Sequence, residues 1–451
     1  MFHYGGTLRI SPLGRANLAH MGTGGSTANL RTRVTGWLTR WYLARAQRKG
    51  FDLSKMALLP DTALMPLRRD RLDPVPELGT TRESAPVHKL PIPFGVNVWL
   101  VSGYEEAKVV LSDHKHYSND FANLVGAGAN QAHAPGGLGF ADPPDHTRLR
   151  KLLTPEFTMR RLSRLTPGIK KIVDERLDAM AAVDGPVDLV AEFALPIPSL
   201  VICELLGVSY EDREDFQRLS MARFDLFSGV TSSFGAISES LDYLTGVVRK
   251  QRAEPGDGLL GMIIKEHGDD VDDLELAGLA DGVLTGGFET TASMLALGAL
   301  VLLSDPEAFQ LIHGSDPTDA AVHDFVEELL RYLTVVQVAF PRFAREDVEV
   351  GGVAISKGDV VIVSLSGADR DPALGDNLEV VDPRRSPTSH VAFGHGVHRC
   401  IGAELARMEL REAYPALLRR FPEMRLATPA DELTYRKVSI VYGVESLPVL
   451  L

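Results

Sequence analysis

The chain is poor in cysteine, in net positive charge and in long apolar runs. Its only cysteines are Cys203 and Cys400, which excludes a disulfide framework and favours a reducing, intracellular setting. The formal net charge of -13 argues against a nucleic-acid partner, which would need a basic surface. The longest apolar run, Met294–Leu303, is far too short to cross a bilayer. No secretory signal opens the chain, so we expect a cytoplasmic protein.

The first fifty residues carry the opposite charge balance, with eight arginines and lysines and no acid. Val34, Trp37, Leu38 and Trp41 follow helical spacing, which predicts an amphipathic helix. Such a helix suits peripheral contact with a membrane, or docking of its aromatic face on the acidic remainder of the chain; we favour docking. We assign residues 1–74 to a basic, partly disordered extension and residues 75–451 to a single domain.

Helical periods dominate from Asp145 to about Leu333, with strand patterns on either side. Val87–Ser102 predicts a hairpin, and Val348–Val363 predicts further strands. Leu274–Leu303 is apolar nearly all round, which indicates a buried central helix. No P-loop and no G-x-G-x-x-G after a strand occurs, so no nucleotide-binding domain is evident. The sequence predicts a mainly α, α+β fold.

The most informative stretch is Phe393-Gly394-His395-Gly396-Val397-His398-Arg399-Cys400-Ile401-Gly402. It places a cysteine after a glycine-rich loop and at the start of a predicted helix, where the helix dipole favours a thiolate. A thiolate with no second cysteine nearby is a nucleophile or a metal ligand. Spacing alone leaves two alternatives open: a buried core cysteine, or a small Zn or Cu site made by His395, His398 and Cys400.

These ten residues fit every fixed position of F-G-x-G-x-H-x-C-x-G, the haem-binding signature of the cytochrome P450 superfamily. The chain resembles this superfamily, and its soluble bacterial members in particular, from about Val75 to its C-terminus. The resemblance implies the cytochrome P450 fold, a large helical catalytic domain with small β-sheets around a buried haem b. It implies that Cys400 is the axial thiolate on the haem iron and that Phe393 packs near the sulfur.

A second motif lies inside the predicted central helix, at Gly286-Gly287-Phe288-Glu289-Thr290. Each glycine in a helix interior costs about 1 kcal/mol relative to alanine, so the pair needs a reason. Close helix packing is one, and a groove that admits a ligand is another. The segment resembles the family's oxygen-binding motif, A/G-G-x-D/E-T. On that resemblance Gly286 lines the haem site, and Glu289 and Thr290 relay protons to bound dioxygen.

The resemblance also assigns partners to the haem propionates, since buried carboxylates need cationic or hydrogen-bonding groups. The matching positions are His146, Arg150, Arg342, His390 and His398. It further implies a structural triad of Glu328, Arg331 and Arg385. Pattern alone favours a solvated Glu328–Arg331 pair, because both lie off the apolar stripe of their helix.

The resemblance predicts a haem-thiolate monooxygenase that hydroxylates an unactivated C–H bond with dioxygen. No flavin or iron–sulfur motif is present, so electrons would come from a ferredoxin and its reductase, or a flavodoxin-type donor, and NAD(P)H would act only through them. The expected docking surface lies on the Cys400 side of the haem and includes Arg148, Lys151, Arg160, Arg161 and Arg399.

By the same resemblance the substrate pocket draws on the Ala122–Phe140 loop, Val283 and Gly286, the stretch Val335–Phe340 that includes Val336, and Ile440–Val441. These residues are mostly apolar and predict a hydrophobic small-molecule substrate. A fatty acid or other lipid is the first expectation, followed by a terpenoid, steroid or polyketide. Two alternatives to the monooxygenase stay open: a peroxide-driven haem-thiolate peroxygenase and a non-catalytic haem-binding sensor.

Overall fold

A computed structural model describes residues 60–92, 97–120, 137–208 and 233–451. The predicted amphipathic helix around Trp37 and most of the Ala122–Phe140 loop lie outside these ranges. The packed body includes residues upstream of the predicted boundary at 75. Arg69 donates hydrogen bonds to the carbonyls of Leu333 and Thr334, at 2.6 and 3.0 Å. Residues 69–74 therefore pack on the body, and the division of the chain at 75 stays a prediction.

The α-helices are the main regular elements of the described chain. In chain order they are α1 (Asp61–Leu64), α2 (Pro76–Ser84), α3 (Tyr104–Ser112), α4 (Asp145–Leu153), α5 (Met159–Leu162), α6 (Thr166–Ala181), α7 (Pro196–Leu206), α8 (Ser233–Ala253), α9 (Leu259–His267), α10 (Asp273–Ser304), α11 (Pro306–His313), α12 (Ala320–Leu333), α13 (Leu365–Ala368) and α14 (Ala403–Arg420).

Helix α10 is the axis of the body and packs against α7, α8 and α14. Asp272 caps it, because its carboxylate accepts a hydrogen bond from Glu275 N at 2.8 Å. Within the described ranges it is the one helix long and apolar enough to cross a membrane, yet 78% of its most apolar 18-residue window is buried inside the protein. The predicted buried central helix, Leu274–Leu303, is thus confirmed as a core helix.

The strands form small sheets beside the helices. They are β1 (Arg69–Asp70), β2 (Asp73–Pro74), β3 (Val87–Leu90), β4 (Val98–Val101), β5 (Tyr117–Ser118), β6 (Val187–Asp188), β7 (Arg342–Ala344), β8 (Val348–Val350), β9 (Val353–Ile355), β10 (Val360–Val363), β11 (Arg425–Leu426) and β12 (Pro448–Leu450). A five-stranded sheet has the order β3-β4-β10-β7-β5 and a three-stranded sheet the order β11-β12-β6. Strands β3 and β4 pair antiparallel, which confirms the predicted hairpin.

A buried ion cluster joins α12 to the loop that follows α13. Arg331 contacts Glu328 with two nitrogens, at 2.8 and 2.9 Å, and Arg385 Nε lies 3.1 Å from Glu328 Oε1. The side chains of Arg331 and Glu328 are only 1% and 2% exposed. The pair is not solvated, because the chain from Asp369 to Arg385 covers it. The structure brings together the three residues of the implied triad.

Candidate functional site

Two left-handed glycines shape the loop before Cys400. Gly394 and Gly396 have φ of 69° and 72°, a region that other residues rarely adopt. A Cβ on Gly396 would also lie 2.5 Å from the Leu111 carbonyl oxygen in α3. The loop closes with a hydrogen bond of 2.8 Å from Cys400 N to Phe393 O, and α14 begins at Ala403. Glycine at 396 therefore fixes the path of the chain that presents the cysteine.

The two cysteines lie in opposite environments. Cys203 is fully buried in α7, whereas the Cys400 side chain is accessible. Among the described residues, no three His, Cys, Asp or Glu side chains are grouped to hold a metal ion. Cys400 is therefore not a core cysteine, and the proposed small Zn or Cu site with His395 and His398 is not formed.

Two opposing effects act on the Cys400 thiol. Although the side chain is accessible at the surface, the protein atoms packed around the sulfur desolvate it, and this largest effect raises the pKa of the thiol. The Gly402 N–H and the charges of Arg150, Arg399 and Arg407 act in the opposite direction but do not overcome it. The helix N-terminus thus favours the thiolate, as the sequence predicts, through the Gly402 N–H. A bound metal cation would favour the deprotonated form further.

Phe393 lies between this loop and a buried ion network. The Arg407 guanidinium sits 4.7 Å from the Phe393 ring centre and pairs with Glu327 at 2.6 Å. His390 Nε2 lies 3.2 Å from Glu327 Oε2, and His390 Nδ1 accepts a hydrogen bond from Ala392 N at 3.2 Å. Both ring nitrogens of His390 are thus engaged. His390 is therefore part of the Glu327 network, and its assignment to the propionates stays a prediction.

His146 and His398 form the centre of a buried basic cluster. Their ring centres are 4.2 Å apart, and both His146 ring nitrogens and His398 Nε2 are buried without a hydrogen-bond partner among the described residues. Arg342 is only 4% exposed. Its positive charge and that of Arg150 both lower the pKa of His398. Burial lowers the pKa of His146 to about 4 and that of His398 to about 3. The cluster offers donors that have no partner in the described part of the chain, and these donors suit an anion.

This donor set fits a haem. The unpaired imidazoles of His146 and His398, with Arg342, would hold the two propionates, and the accessible Cys400 sulfur would hold the iron. Arg150 lies beside the cysteine loop, where its Nη2 donates to the Arg399 carbonyl at 2.7 Å. His114 also lowers the pKa of both His146 and His398. Its own Nδ1 is buried without a hydrogen-bond partner in the described part of the chain. It follows α3 in a segment where no motif or periodicity marks it.

The two glycines of the central helix have different roles. A Cβ on Gly287 would lie 3.1 Å from Ile202 Cδ1, so this glycine permits close packing of α10 on α7. Apart from the nearby backbone of the helix itself, no heavy atom of the described residues lies within 4 Å of the corresponding position on Gly286, which is exposed. Thr290 Oγ1 donates to the Gly286 carbonyl at 2.8 Å. Gly286 and Thr290 therefore mark an open face of α10.

Glu289 has a partner that sequence analysis missed. Arg436, 147 residues later, places Nη1 2.8 Å from Glu289 Oε1. Glu289 is 7% exposed, and burial raises its pKa to about 7 despite the nearby cation. No local pattern links the two residues, because helix α10 and the C-terminal loop meet only in the folded chain.

The predicted pocket residues come from segments that the structure joins. Val336 forms an isolated antiparallel bridge with Val441, and Gln337 N donates to the Ile440 carbonyl at 2.9 Å. Ile440 is 44% exposed. Val283 is partly buried on α10, one turn before Gly286. The Glu289–Arg436 contact joins α10, which carries Val283, to the C-terminal loop, which carries Ile440.

An aromatic pair adds to this apolar surface. The rings of Phe140 and Phe340 meet edge to face, with centres 4.7 Å apart, and the two residues are 42% and 50% exposed. Arg342 Nη1 donates to the Phe340 carbonyl at 2.8 Å, which places the pair beside the basic cluster. The sequence analysis included both residues in pocket segments, Phe140 at the end of one and Phe340 at the end of the other, but it did not predict that their rings meet.

Two of the five expected docking residues are engaged within the protein. Arg148 pairs with Glu275 on α10, and Arg161 lies 3.5 Å from Glu156. The charge available to an acidic electron donor on this side is therefore smaller than the sequence suggests.

Comparison with known proteins defines the class. The Cytochrome P450 family profile matches residues 94–254 and 321–434. The chain therefore belongs to the cytochrome P450 family, and it is a haem-thiolate oxygenase with the fold of that family.

Its relatives are bacterial. Cytochrome P450 165C4 of Amycolatopsis orientalis is 42% identical over 345 residues, which cover 76% of this chain and 84% of that protein. The structure of P450 StaH from glycopeptide antibiotic A47934 biosynthesis matches with a TM-score of 0.77 and 40% identity, over 86% of this chain and 100% of that one. OxyC, a cytochrome P450 implicated in an oxidative C–C coupling reaction during vancomycin biosynthesis, matches with a TM-score of 0.77 and 39% identity, over 85% and 96%.

Proposed function

We propose that this monooxygenase acts in the cytoplasm on a bulky, largely apolar secondary metabolite, hydroxylating an unactivated C–H bond with electrons from a ferredoxin and its reductase. The observation that carries the proposal is the combination of an accessible cysteine with buried, unpartnered imidazoles at His146 and His398. Together they supply an iron ligand and an anion site that the rest of the described chain leaves unused.

Each residue of the site has a defined role in this proposal. When bound, the haem supplies activation of dioxygen, which thiolate ligation favours. Cys400 holds the iron, and His146, His398 and Arg342 hold the propionates. Glu289 carries a proton on its buried carboxyl, and the adjacent Thr290 hydroxyl passes protons on along the open face of α10. Hydroxylation consumes one dioxygen, two electrons and two protons, and it releases one water.

A fatty acid is no longer the first candidate substrate. The names of StaH and OxyC refer to antibiotic biosynthesis, and neither name refers to a lipid. The half-exposed edge-to-face pair of Phe140 and Phe340 offers aromatic surface that suits an aromatic ring of a substrate. We therefore infer an aromatic, peptide-derived or polyketide-like substrate before a lipid.

The same pair of phenylalanines favours a second candidate reaction, oxidative coupling of two aromatic rings. Coupling removes two hydrogen atoms from the substrate and inserts no oxygen. Hydroxylation adds one oxygen atom from dioxygen. The mass of the product therefore separates the two reactions, whichever atom of the substrate is attacked.

Electron supply follows from the family, whose bacterial members use redox partners. We propose that a ferredoxin docks on the Cys400 side, where Lys151, Arg160 and Arg399 carry positive charge. Arg148 and Arg161 contribute less because glutamates already neutralise them. Rates with a ferredoxin should fall as salt increases, since screening weakens exposed charge pairs.

The test uses the holoenzyme with a ferredoxin, its reductase and a reduced nicotinamide. Aromatic peptides and fatty acids of matched mass are compared for their effect on the Soret band and for turnover under labelled dioxygen. We expect the aromatic peptides to bind more tightly and to gain one labelled oxygen only when the reductase is present. Equal turnover with peroxide alone would instead establish a peroxygenase, and tighter binding of fatty acids would restore the lipid expectation.

A further inference from the structure

One guanidinium joins the central helix to the loop that carries Ile440. Arg436 Nη1 lies 2.8 Å from Glu289 Oε1 and donates to the Val441 carbonyl at 3.2 Å. The side chains of Arg436 and Glu289 are only 14% and 9% exposed. The same nitrogen therefore contacts the carboxyl on α10 and the backbone next to Ile440.

The loop from Arg436 to Gly443 is held closely on α10. Arg436 N donates to the Gly443 carbonyl at 3.0 Å, and a Cβ on Gly443 would lie 2.9 Å from Ser293 Oγ. Ser293 is one turn beyond Glu289, so the loop covers this part of the helix. Gly443 leaves no space for a side chain between the loop and α10.

The loop also contains a strained residue and a fixed tip. Val438 has φ of 48°, an unfavourable backbone region for a β-branched side chain. Gln337 Nε2 donates to the Ser439 carbonyl at 2.6 Å, and Ser439 Oγ donates to the Val441 carbonyl at 2.7 Å. Such strain persists only where surrounding contacts determine the conformation. One of the contacts of this loop, the Arg436–Glu289 ion pair, joins it to an ionisable group on α10.

We propose that Arg436 is a positioning residue for proton delivery, which holds the Glu289 carboxyl beside Thr290 and couples it to the loop that carries Ile440. The inference rests on the proposed function, in which Glu289 and Thr290 carry the protons. A substrate that contacts Ile440 would act on Glu289 through this guanidinium.

The charges around the pair support this role. Burial raises the pKa of Glu289, and Arg436 is the charged group that opposes the rise, with a result of about 7. Arg436 itself faces Glu289 and Glu445. A proton carrier works best when its pKa lies near the working pH, because both forms are then populated. Without Arg436 the carboxyl would keep its proton to higher pH and would release it less readily.

The test compares four variants of the holoenzyme: Glu289→Gln, Arg436→Met, Arg436→Lys and the double variant Glu289→Gln/Arg436→Met. Lys437→Met is the matched control, because Lys437 is the exposed neighbour of Arg436 and has no role in the proposal. The readouts are the product formed per dioxygen consumed, the solvent isotope effect and the pH profile. Infrared titration of the Glu289 carboxyl gives a readout independent of turnover. The band of this carboxyl is identified by its absence from the spectrum of Glu289→Gln.

We expect Glu289→Gln to lower turnover about 100-fold, the lower end of general acid–base effects. Arg436→Met should move the midpoint of the infrared titration to higher pH and slow turnover, by about tenfold for each pH unit that the midpoint moves. Compared with Arg436→Met, Arg436→Lys should restore part of the titration midpoint and part of the turnover. The double variant should turn over at the same rate as Glu289→Gln alone. If Arg436→Met fails to bind haem, Arg436→Lys carries the same comparison with a retained charge and a lost second contact.

The possible failures are distinguishable. Wild-type turnover in Glu289→Gln would refute the proton-relay part of the proposed function. A slow Glu289→Gln beside an Arg436→Met variant with unchanged titration and unchanged coupling would refute the role of Arg436 alone. A double variant slower than Glu289→Gln would also overturn it, since Arg436 would then act by a route that does not pass through Glu289.

Discussion

Removing the Arg331 guanidinium should destabilise the protein more than any surface charge change nearby. Arg331 contacts Glu328 twice and donates to the carbonyls of Asp369 and Leu378 at 3.0 and 2.9 Å. Breaking a buried ion pair by removing one partner costs about 3–5 kcal/mol, because the other charge stays buried. Arg385 and the Asp382 N–H still hold Glu328. We therefore take the lower value for Arg331→Met, about 3 kcal/mol of unfolding free energy.

The assay is urea unfolding followed by far-UV circular dichroism, with a control on the same loop. Arg384 pairs with Glu307 at 2.7 Å, but these side chains are 67% and 59% exposed. Arg384→Met should therefore cost less than about 1 kcal/mol. Glu328→Gln combined with Arg331→Met should recover part of the loss, since the residue at position 328, which keeps only Arg385 as a cation in Arg331→Met, is then neutral. A loss in Arg331→Met no larger than that in Arg384→Met would refute the reasoning.

Three further predictions concern the site. His146→Ala or His398→Ala should speed haem dissociation about 10- to 100-fold, since hydrogen bonds to a charged group contribute about 1.5–3 kcal/mol; His88→Ala, on an exposed position of β3, should not. In the haem-free protein, His146 and His398 have lowered pKa values of about 4 and 3. Their contribution to stability should be present above pH 6.5, the ordinary pKa of histidine, and lost as pH falls toward those values; the double Asn variant should show a flatter acid limb in urea titrations across pH. Gly286→Ala should raise the unfolding free energy by up to about 1 kcal/mol through helix propensity, and it should weaken substrate binding. Gly287→Val should lower the unfolding free energy, because the new side chain would crowd Ile202. Equal changes in unfolding free energy would contradict the different roles of the two glycines.

Local patterns predicted the elements that depend on nearby residues. The central helix, the β3–β4 hairpin and the glycine loop before Cys400 are each specified within a short stretch of sequence. The burial of Glu328 and Arg331 is different, because the covering loop lies some fifty residues later. Both residues lie off the apolar stripe of α12, and a helical pattern by itself indicates that such a polar face is solvated.

The remaining differences have the same origin in long-range contacts. His390 pairs with Glu327 and Arg436 with Glu289 across 63 and 147 residues, and no spacing rule reaches that far. The pKa of the Cys400 thiol also depends on long-range contacts. The Gly402 N–H at the helix N-terminus lowers this pKa, whereas the protein atoms packed around the sulfur raise it, and those atoms come together only in the folded chain.

The central claim is that Cys400 is the axial ligand of a haem. The direct measurement is the absorption spectrum of the reduced, CO-bound protein, for the wild type beside Cys400→Ala and Cys203→Ala. We predict a Soret band of the thiolate-ligated type that is kept in Cys203→Ala and lost in Cys400→Ala. An imidazole-type band in the wild type, or a thiolate-type band that survives in Cys400→Ala, would contradict the account.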